Sequence, residues 1–94
     1  MGRFETGKVV STRGVHDKFN SDYEFLQFVN ASFVRFQSGD WGEMCDEDKE
    51  QNEQALIDRE RLMGSYENKE RGWKIWIITE ANRSVTTILF PSEY

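Results

Sequence analysis

The sequence predicts an α+β domain, in which a three-stranded and mainly antiparallel sheet has two helices packed on one face. Three observations predict this class: a valine-rich extended segment early in the chain, two central segments with helical spacing of apolar residues, and a later pair of segments with apolar alternation. The predicted element order is therefore β-α-α-β-β, with strands from both ends of the chain. A chain of 94 residues is expected to form a single domain, residues 1–94.

The first strand and the first helix come early in the chain. Residues 8–15, KVVSTRGV, favour extended backbone because valine and threonine are branched at Cβ. A helix is then predicted to start at Asn20 or Ser21, since Ser21 and Glu24 have the spacing of a capping box. It should end near Gly39, because glycine suits a left-handed helix stop. The apolar face of this helix contains Phe25, Val29 and Phe36, with Leu26 and Phe33 beside them.

The second helix is predicted from a block of carboxylates that follows a tryptophan between two glycines, SGDWGEMCDEDKE (residues 38–50). Asp40 with Glu43, or Asp46 alone, supplies the start signal, and acidic residues in a first turn favour the positive end of the helix dipole. Gly64 is the predicted end. The helix should lie on the surface with its acidic face in water, because its apolar stripe is narrow. The stripe consists of Ala55, Leu56, Leu62, Met63 and Tyr66.

Two strands joined by a short turn form the predicted hairpin, residues 71–80 and 84–90, and Pro91 closes the second strand because it lacks a ladder donor. The first strand has Trp73, Ile75, Ile77 and Thr79 on one face and Lys74, Trp76, Ile78 and Glu80 on the other. Helices are expected to cover one apolar face. The other face should meet the N-terminal segment, another helix, or a second copy of the chain in a homodimer.

The net charge of −5 is concentrated in one segment. Residues 43–60 hold eight acidic and two basic residues, whereas the rest of the chain holds nine acidic and ten basic residues. Because phosphate groups bind cations, this segment is unsuited to nucleic acid or an anionic membrane and suited to a basic protein surface. One cysteine, no signal-like apolar run in residues 1–10 and no run near the ~20 residues that span a bilayer predict a cytoplasmic protein without membrane contact.

The residues predicted to contact a protein partner are Trp41, Glu43, Asp46, Glu47, Asp48, Glu50 and Glu53. Carboxylates at helical spacing imitate phosphate charge and steer a basic partner toward the helix. A tryptophan between glycines packs back on the core more often than it anchors an exposed contact, and both interpretations of Trp41 stay open.

An alternative hypothesis is a small nucleic-acid-binding or regulatory module that uses the hairpin face. Arg13, Lys74 and Arg83 supply cations there, and the tryptophans of the hairpin supply rings that stack on bases. The simpler interpretation places the tryptophans in the core or an interface and these charges on a solvated rim.

No metal, cofactor or catalytic group is predicted. The acids from Asp46 onward alternate as in a calcium loop, but Gln51 and Ile57 stand where an EF-hand needs glycine and glutamate. His16 and Cys45 are the members of a Cys-His pair, yet the acids around Cys45 disfavour a thiolate. Cys45 is therefore expected to be a small buried hydrophobe, and the protein to be non-enzymatic.

Three stretches resemble a family of short proteins carried on phages, plasmids and conjugative elements of Firmicutes. They are STRGVHD (11–17), GDWGEMCDEDKEQNEQAL (39–56) and KIWIITEANRSVTTILFPSEY (74–94), about half the chain. The family often has an acidic residue before the arginine in the hairpin turn, where this chain has Asn82. The resemblance implies a bacterial cytoplasm and carries over no enzymatic activity.

Small acidic proteins in such a setting resemble inhibitors of host defence, including anti-CRISPR proteins, which often cover a basic nucleic-acid-binding surface. Under this hypothesis the partner is a host protein or nucleoprotein complex with a basic surface. The acidic segment 43–60 is suited to that mechanism because its charge matches that of phosphate.

Overall fold

The structure is a computed structural model that describes residues 2–94. This part of the chain forms elements in the order β-α-α-α-β-β-β, followed by a short 3-10 turn. The strands are β1 (Lys8–Ser11), β2 (Leu62–Asn68), β3 (Trp73–Thr79) and β4 (Val85–Leu89). The helices are α1 (Arg13–Ser21), α2 (Tyr23–Gln37) and α3 (Asp46–Asp58), and the 3-10 turn is Pro91–Glu93.

The α+β class is confirmed, but the sheet has four strands in the order β1-β4-β3-β2 and is mixed. Strands β2, β3 and β4 form an antiparallel meander. Strand β1 pairs in parallel with β4, from Lys8 opposite Val85 to Ser11 opposite Ile88. Parallel neighbours need a long connection, and all three helices lie between β1 and β4 in the chain.

The core lies between the helices and one face of the sheet. Ile75 and Ile77 of β3 are fully buried there and share one apolar cluster with Val15 of α1 and with Phe25 and Phe36 of α2. This is the face predicted for alternate residues of β3. Each buried aromatic ring removes roughly 150–250 Å² from water, so a few of them support a domain of this size.

The predicted first strand is too long. Only its first four residues form β1, and α1 begins at Arg13. Thr12 precedes the helix in an extended conformation, and its hydroxyl donates to Glu93 at 2.5 Å instead of capping its own helix. Val15, which favoured a strand by its branched side chain, is the buried residue of α1. Burial against the sheet therefore outweighs the local preference of the valine.

Helix α2 lies where its apolar face predicts, but its cap differs. The cap is Asp22, whose side chain accepts a hydrogen bond from the backbone N–H of Phe25 at 3.1 Å. Asn20 and Ser21, the predicted caps, belong to α1 or its end. Gly39 follows α2 with φ +87°, the left-handed conformation that its glycine predicts.

The predicted second helix also extends too far. Helix α3 ends at Asp58, because Arg59 adopts the left-handed conformation and its N–H returns to the carbonyl of Ala55. The residues that continued the helical stripe form β2 instead, which pairs along its whole length with β3. Gly64 lies within β2, where a Cβ would stand 2.4 Å from the hydroxyl oxygen of Tyr66. This glycine makes room for the tyrosine ring and does not end a helix.

The second face of the sheet is partly covered by the segment that follows β4. The ring of Tyr94 lies edge-on to Trp76 at 5.7 Å between centroids, and the hydroxyl of Tyr94 accepts from Arg61 at 2.8 Å. Ile78 and Leu89 are buried. Homodimer formation through the apolar hairpin stays a prediction.

Candidate functional site

The acids predicted to bind a partner are concentrated on α3. Asp46, predicted as a cap, is instead the first residue of the helix, and the N-cap residue is Cys45. Three acidic residues fill the first turn, where the helix dipole favours negative charge. We define the acidic face as four exposed residues of the first turns of α3, namely Asp46, Glu47, Asp48 and Glu50.

Within residues 2–94, no basic side chain lies within 4.0 Å of a carboxylate oxygen of the acidic face. Acidic residues elsewhere differ, since seven of the eleven outside α3 have such a partner. Lys49, the one basic residue of α3, forms no ion pair within the described chain either. The acidic face therefore presents negative charge that the fold does not neutralise.

Two other predicted contact residues, Glu43 and Glu53, are used by the fold. The carboxylate of Glu53 accepts from Arg3 at 2.8 and 3.1 Å and from the indole N–H of Trp41 at 2.8 Å. The hydrogen bonds from Arg3 and Trp41 hold the pKa of Glu53 below its ordinary value. Glu43 lies before α3 and accepts from the backbone N–H of Glu67 at 3.2 Å. Both carboxylates hold neighbouring segments together.

Trp41 belongs to the core. Its side chain is 3% exposed, its ring stacks on Phe4 at 5.9 Å, and it meets the edge of Phe36 at 5.7 Å. Its carbonyl accepts from the backbone N–H of Ser65 at 3.1 Å, so this loop pairs with the edge of β2. Of the two interpretations of Trp41, packing on the core is the one observed, and the ring is out of reach of a partner.

A buried asparagine orients α3 on the sheet. Asn52 donates to the carbonyl of Met63 at 2.8 Å and accepts from its N–H at 3.1 Å, so the side chain pairs with β2 much as a neighbouring strand does. Because Asn52 and Ala55 face inward, the opposite side of α3 faces water. Asn52 was not among the predicted site residues. Its signal is a lone asparagine three residues before Ala55, in line with the apolar stripe.

Arg83 is buried, contrary to the hypothesis of a cationic surface. Its guanidinium donates to the carbonyls of Glu60 at 2.6 Å, Glu80 at 3.2 Å, Ala81 at 3.3 Å and Ala55 at 3.2 Å. The carbonyl of Ala55 also accepts from the backbone N–H groups of Arg59 and Glu60, whereas the carbonyl of Glu60, just after α3, accepts from the guanidinium. Arg83 thus joins the end of α3 to the β3–β4 turn, with 7% of its surface exposed.

The alternative nucleic-acid face is therefore not assembled. Lys74 lies near the start of β3 and Arg83 in the turn beyond its other end, and the strand between them spans about 17 Å at ~3.3 Å per residue. Lys74 is 3.5 Å from a carboxylate oxygen of Glu67, and Arg13 is 3.9 Å from Asp17. These three basic residues do not form one patch, and the two exposed ones have acidic neighbours.

The two residues of the Cys-His hypothesis have separate surroundings. The ring of His16 forms a hydrogen bond with Asn20 at 3.0 Å and lies edge-on to Phe19. Cys45 is exposed at the start of α3, so its predicted role as a buried hydrophobe is wrong. In the described part of the chain, no group of three or more His, Cys, Asp or Glu side chains could hold a metal ion.

No protein-family model matches the chain, and no curated protein or solved structure is significantly similar to it. Among residues 2–94, no helix has both the length and the apolar character needed to cross a bilayer.

Proposed function

We propose that the protein is a non-enzymatic binding protein whose acidic face docks on a basic surface of another protein. The observation that supports this proposal is the lack of ion-pair partners for the acidic face within residues 2–94. Unneutralised charge on a rigid helix attracts an oppositely charged partner over long range and accelerates association.

An exposed isoleucine continues the acidic face along α3. Asp46, Glu50, Glu53 and Ile57 are separated by four, three and four residues, so they lie in one stripe on the helix. Ile57 is 74% exposed. Protein interfaces combine apolar contact with charge, whereas a simple counter-ion needs only the charge. The stripe therefore suits a protein partner.

A groove of about 520 Å³ borders the acidic face on the side toward β2. Met44 and Met63 line it together with Asp48, Glu60 and Arg61, and Arg61 is paired with Glu80 at 3.7 Å. Methionine side chains suit the aliphatic stem of a lysine or arginine, and the two carboxylates suit its charged head. We expect a basic side chain of the partner to enter this groove.

The resemblance to proteins of mobile elements leads us to propose a host defence protein or nucleoprotein complex as the partner. Its nucleic-acid-binding surface is basic because it neutralises phosphates. The acidic face would form ion pairs with the basic side chains of that surface and so exclude nucleic acid, with no catalytic step.

Charge reversal on the acidic face tests this proposal. Glu47→Lys combined with Glu50→Lys changes two exposed residues that have no ion pair in the described chain, so the fold should remain intact. Binding to purified host defence nucleoprotein complexes, with and without nuclease treatment, is measured by surface plasmon resonance at increasing salt. We expect the double variant to bind about tenfold more weakly or worse, because attraction is replaced by repulsion.

The matched control is Asp17→Lys combined with Glu70→Lys, which makes the same change in net charge on α1 and on the β2–β3 turn. We expect this control to keep most of the affinity. Equal binding by the wild type and the acidic-face variant would eliminate the proposal. A gel-shift titration with DNA and RNA at low salt covers the alternative, since direct nucleic-acid binding that weakens steeply with salt would favour a different surface.

A further inference from the structure

A second pocket lies at the end of α3 opposite to the acidic face. Its volume is about 450 Å³, and it lies between the N-terminal segment, the last turn of α3 and the β3–β4 turn. We call it the arginine pocket, lined by Arg3, Phe4, Glu5, Leu56, Arg59 and Arg83. Three arginines against one glutamate make its lining positive, although the net charge of the chain is −5.

Arg83 contributes a guanidinium whose position is set by the backbone around it. Its four hydrogen bonds to carbonyls use Nη1 and Nη2, and none of these four uses Nε. Within residues 2–94, no acidic side chain forms an ion pair with it. Burial, and then the nearby charge of Arg59, lower the pKa of Arg83. This buried cation therefore has carbonyl dipoles around it and no counter-ion.

Arg59 contributes a second guanidinium. Its backbone has a conformation that glycine adopts with less strain than arginine. Its φ of 56° and ψ of 52° are left-handed, and glycine is the usual residue in that conformation after a helix. Its side chain forms no ion pair in the described residues. Arg59 and Arg83 are the two non-glycine residues with positive φ in residues 2–94, and both line this pocket. Such strained residues are concentrated at functional sites.

We propose that the arginine pocket binds the phosphate group of a small organic phosphate, held by Arg59 and Arg83. Planar guanidinium groups form paired hydrogen bonds with phosphate oxygens. Phe4 and Leu56 provide an apolar wall for the organic part of the ligand. The pocket volume lies in the range of roughly 300–1,000 Å³ that is usual for small-molecule sites.

Arg3 lies at the rim of the site and is already engaged. Both of its terminal nitrogens donate to the carboxylate of Glu53, at 3.1 and 2.8 Å. The guanidinium of Arg59 forms no ion pair in the described residues and is free to bind a phosphate, so substitutions of Arg59 test the proposal. This site does not depend on the acidic face, so the two proposals can fail separately.

The probes are inorganic phosphate and adenosine 5′-monophosphate, with adenosine as the control that lacks the phosphate. Binding is measured by calorimetry and by backbone amide shifts in NMR at constant ionic strength. We expect both phosphate compounds to bind and to shift amides of the arginine pocket, whereas adenosine does not. Absence of binding at millimolar phosphate, or equal binding of adenosine, overturns the proposal.

Arg59→Gly separates binding from folding. It removes the cation and also relieves the left-handed backbone, so the melting temperature should stay the same or rise while phosphate affinity falls about tenfold or more. Arg59→Gln and Arg13→Gln form a matched pair, because Arg13 is an exposed arginine of α1 outside the pocket. Equal affinities in these two variants contradict a site at Arg59. Glu5→Gln removes the carboxylate of the lining and should tighten binding, and weaker binding counts against the site.

Discussion

The four carboxylates of the acidic face are exposed and lack ion pairs within the described chain. In the β3–β4 turn, by contrast, the cation of Arg83 is buried and donates to four backbone carbonyls. The sequence predicts exposed charged side chains in both regions. The difference arises from the backbone beside them, because the carbonyl of Glu60, just after α3, lies against the β3–β4 turn and accepts from Arg83 at 2.6 Å. A charged residue is therefore free for a partner only where no backbone group nearby requires it.

Arg83→Met should give the largest effect on stability. The substitution removes the side-chain donor from the carbonyls of Glu60 and Ala81, while those of Ala55 and Glu80 keep backbone donors, so the free energy of unfolding should fall by about 2 kcal/mol. Urea denaturation measures the change. Arg83→Lys, which keeps the charge and loses the planar fork, should recover part of the loss. If Arg83→Met unfolds like the wild type, the contrast between the two regions disappears.

Substitution of Glu93 should have an intermediate effect on the free energy of unfolding, because this exposed carboxylate forms hydrogen bonds within the fold. It accepts from the hydroxyl of Thr12 at 2.5 Å and from the backbone N–H of Gly14 at 3.0 Å, which caps the start of α1. We expect Glu93→Gln to cost about 1 kcal/mol, the usual size of a lost helix N-cap. Urea denaturation at neutral pH tests this value. An unchanged free energy of unfolding would show that Glu93, like the acids of the acidic face, does not stabilise the fold.

The same residue predicts a pH dependence. The hydrogen bond from Thr12 is the main cause that lowers the pKa of Glu93 in the folded protein. A lowered pKa means that its stabilisation is present above the ordinary glutamate pKa of about 4.3 and is lost as the pH falls through the folded value. The difference in unfolding free energy between the wild type and Glu93→Gln should therefore shrink progressively in acid. A constant difference would exclude the charge as its source.

Neutralising the acidic face should give the smallest effect. Glu47→Gln combined with Glu50→Gln should change the free energy of unfolding by less than about 1 kcal/mol, because neither residue has an ion pair in the described chain and Glu47 loses its interaction with the helix dipole. Asp40→Asn is the matched control, since that carboxylate accepts from Arg35 at 2.8 Å and from the N–H of Gly42 at 3.0 Å. A loss above about 1 kcal/mol on the acidic face would show that these acids serve the fold.

The acidic helix of the candidate site could be predicted from the sequence, because the exposure of its side chains follows from the local spacing of apolar and charged residues. The run of carboxylates after Cys45, with few apolar residues at helical spacing, correctly indicated an exposed acidic helix. The roles of Trp41 and Glu53 could not be predicted this way. Their hydrogen bond joins residues twelve positions apart, and the ring of Trp41 stacks on Phe4, which lies far away in the chain.

By itself, the sequence determined the α+β class, helix α2 and the β3–β4 hairpin, because apolar periodicity is a local property that matches the geometry of each element. Only the tertiary structure decided that residues 62–68 form a strand and that Arg83 is buried. Strand β2 exists because β3 pairs with it along seven residues, against a spacing that also suits a helix. Arg83 is buried because the end of α3 meets the β3–β4 turn, where the carbonyls of Ala55 and Glu60 accept from its guanidinium.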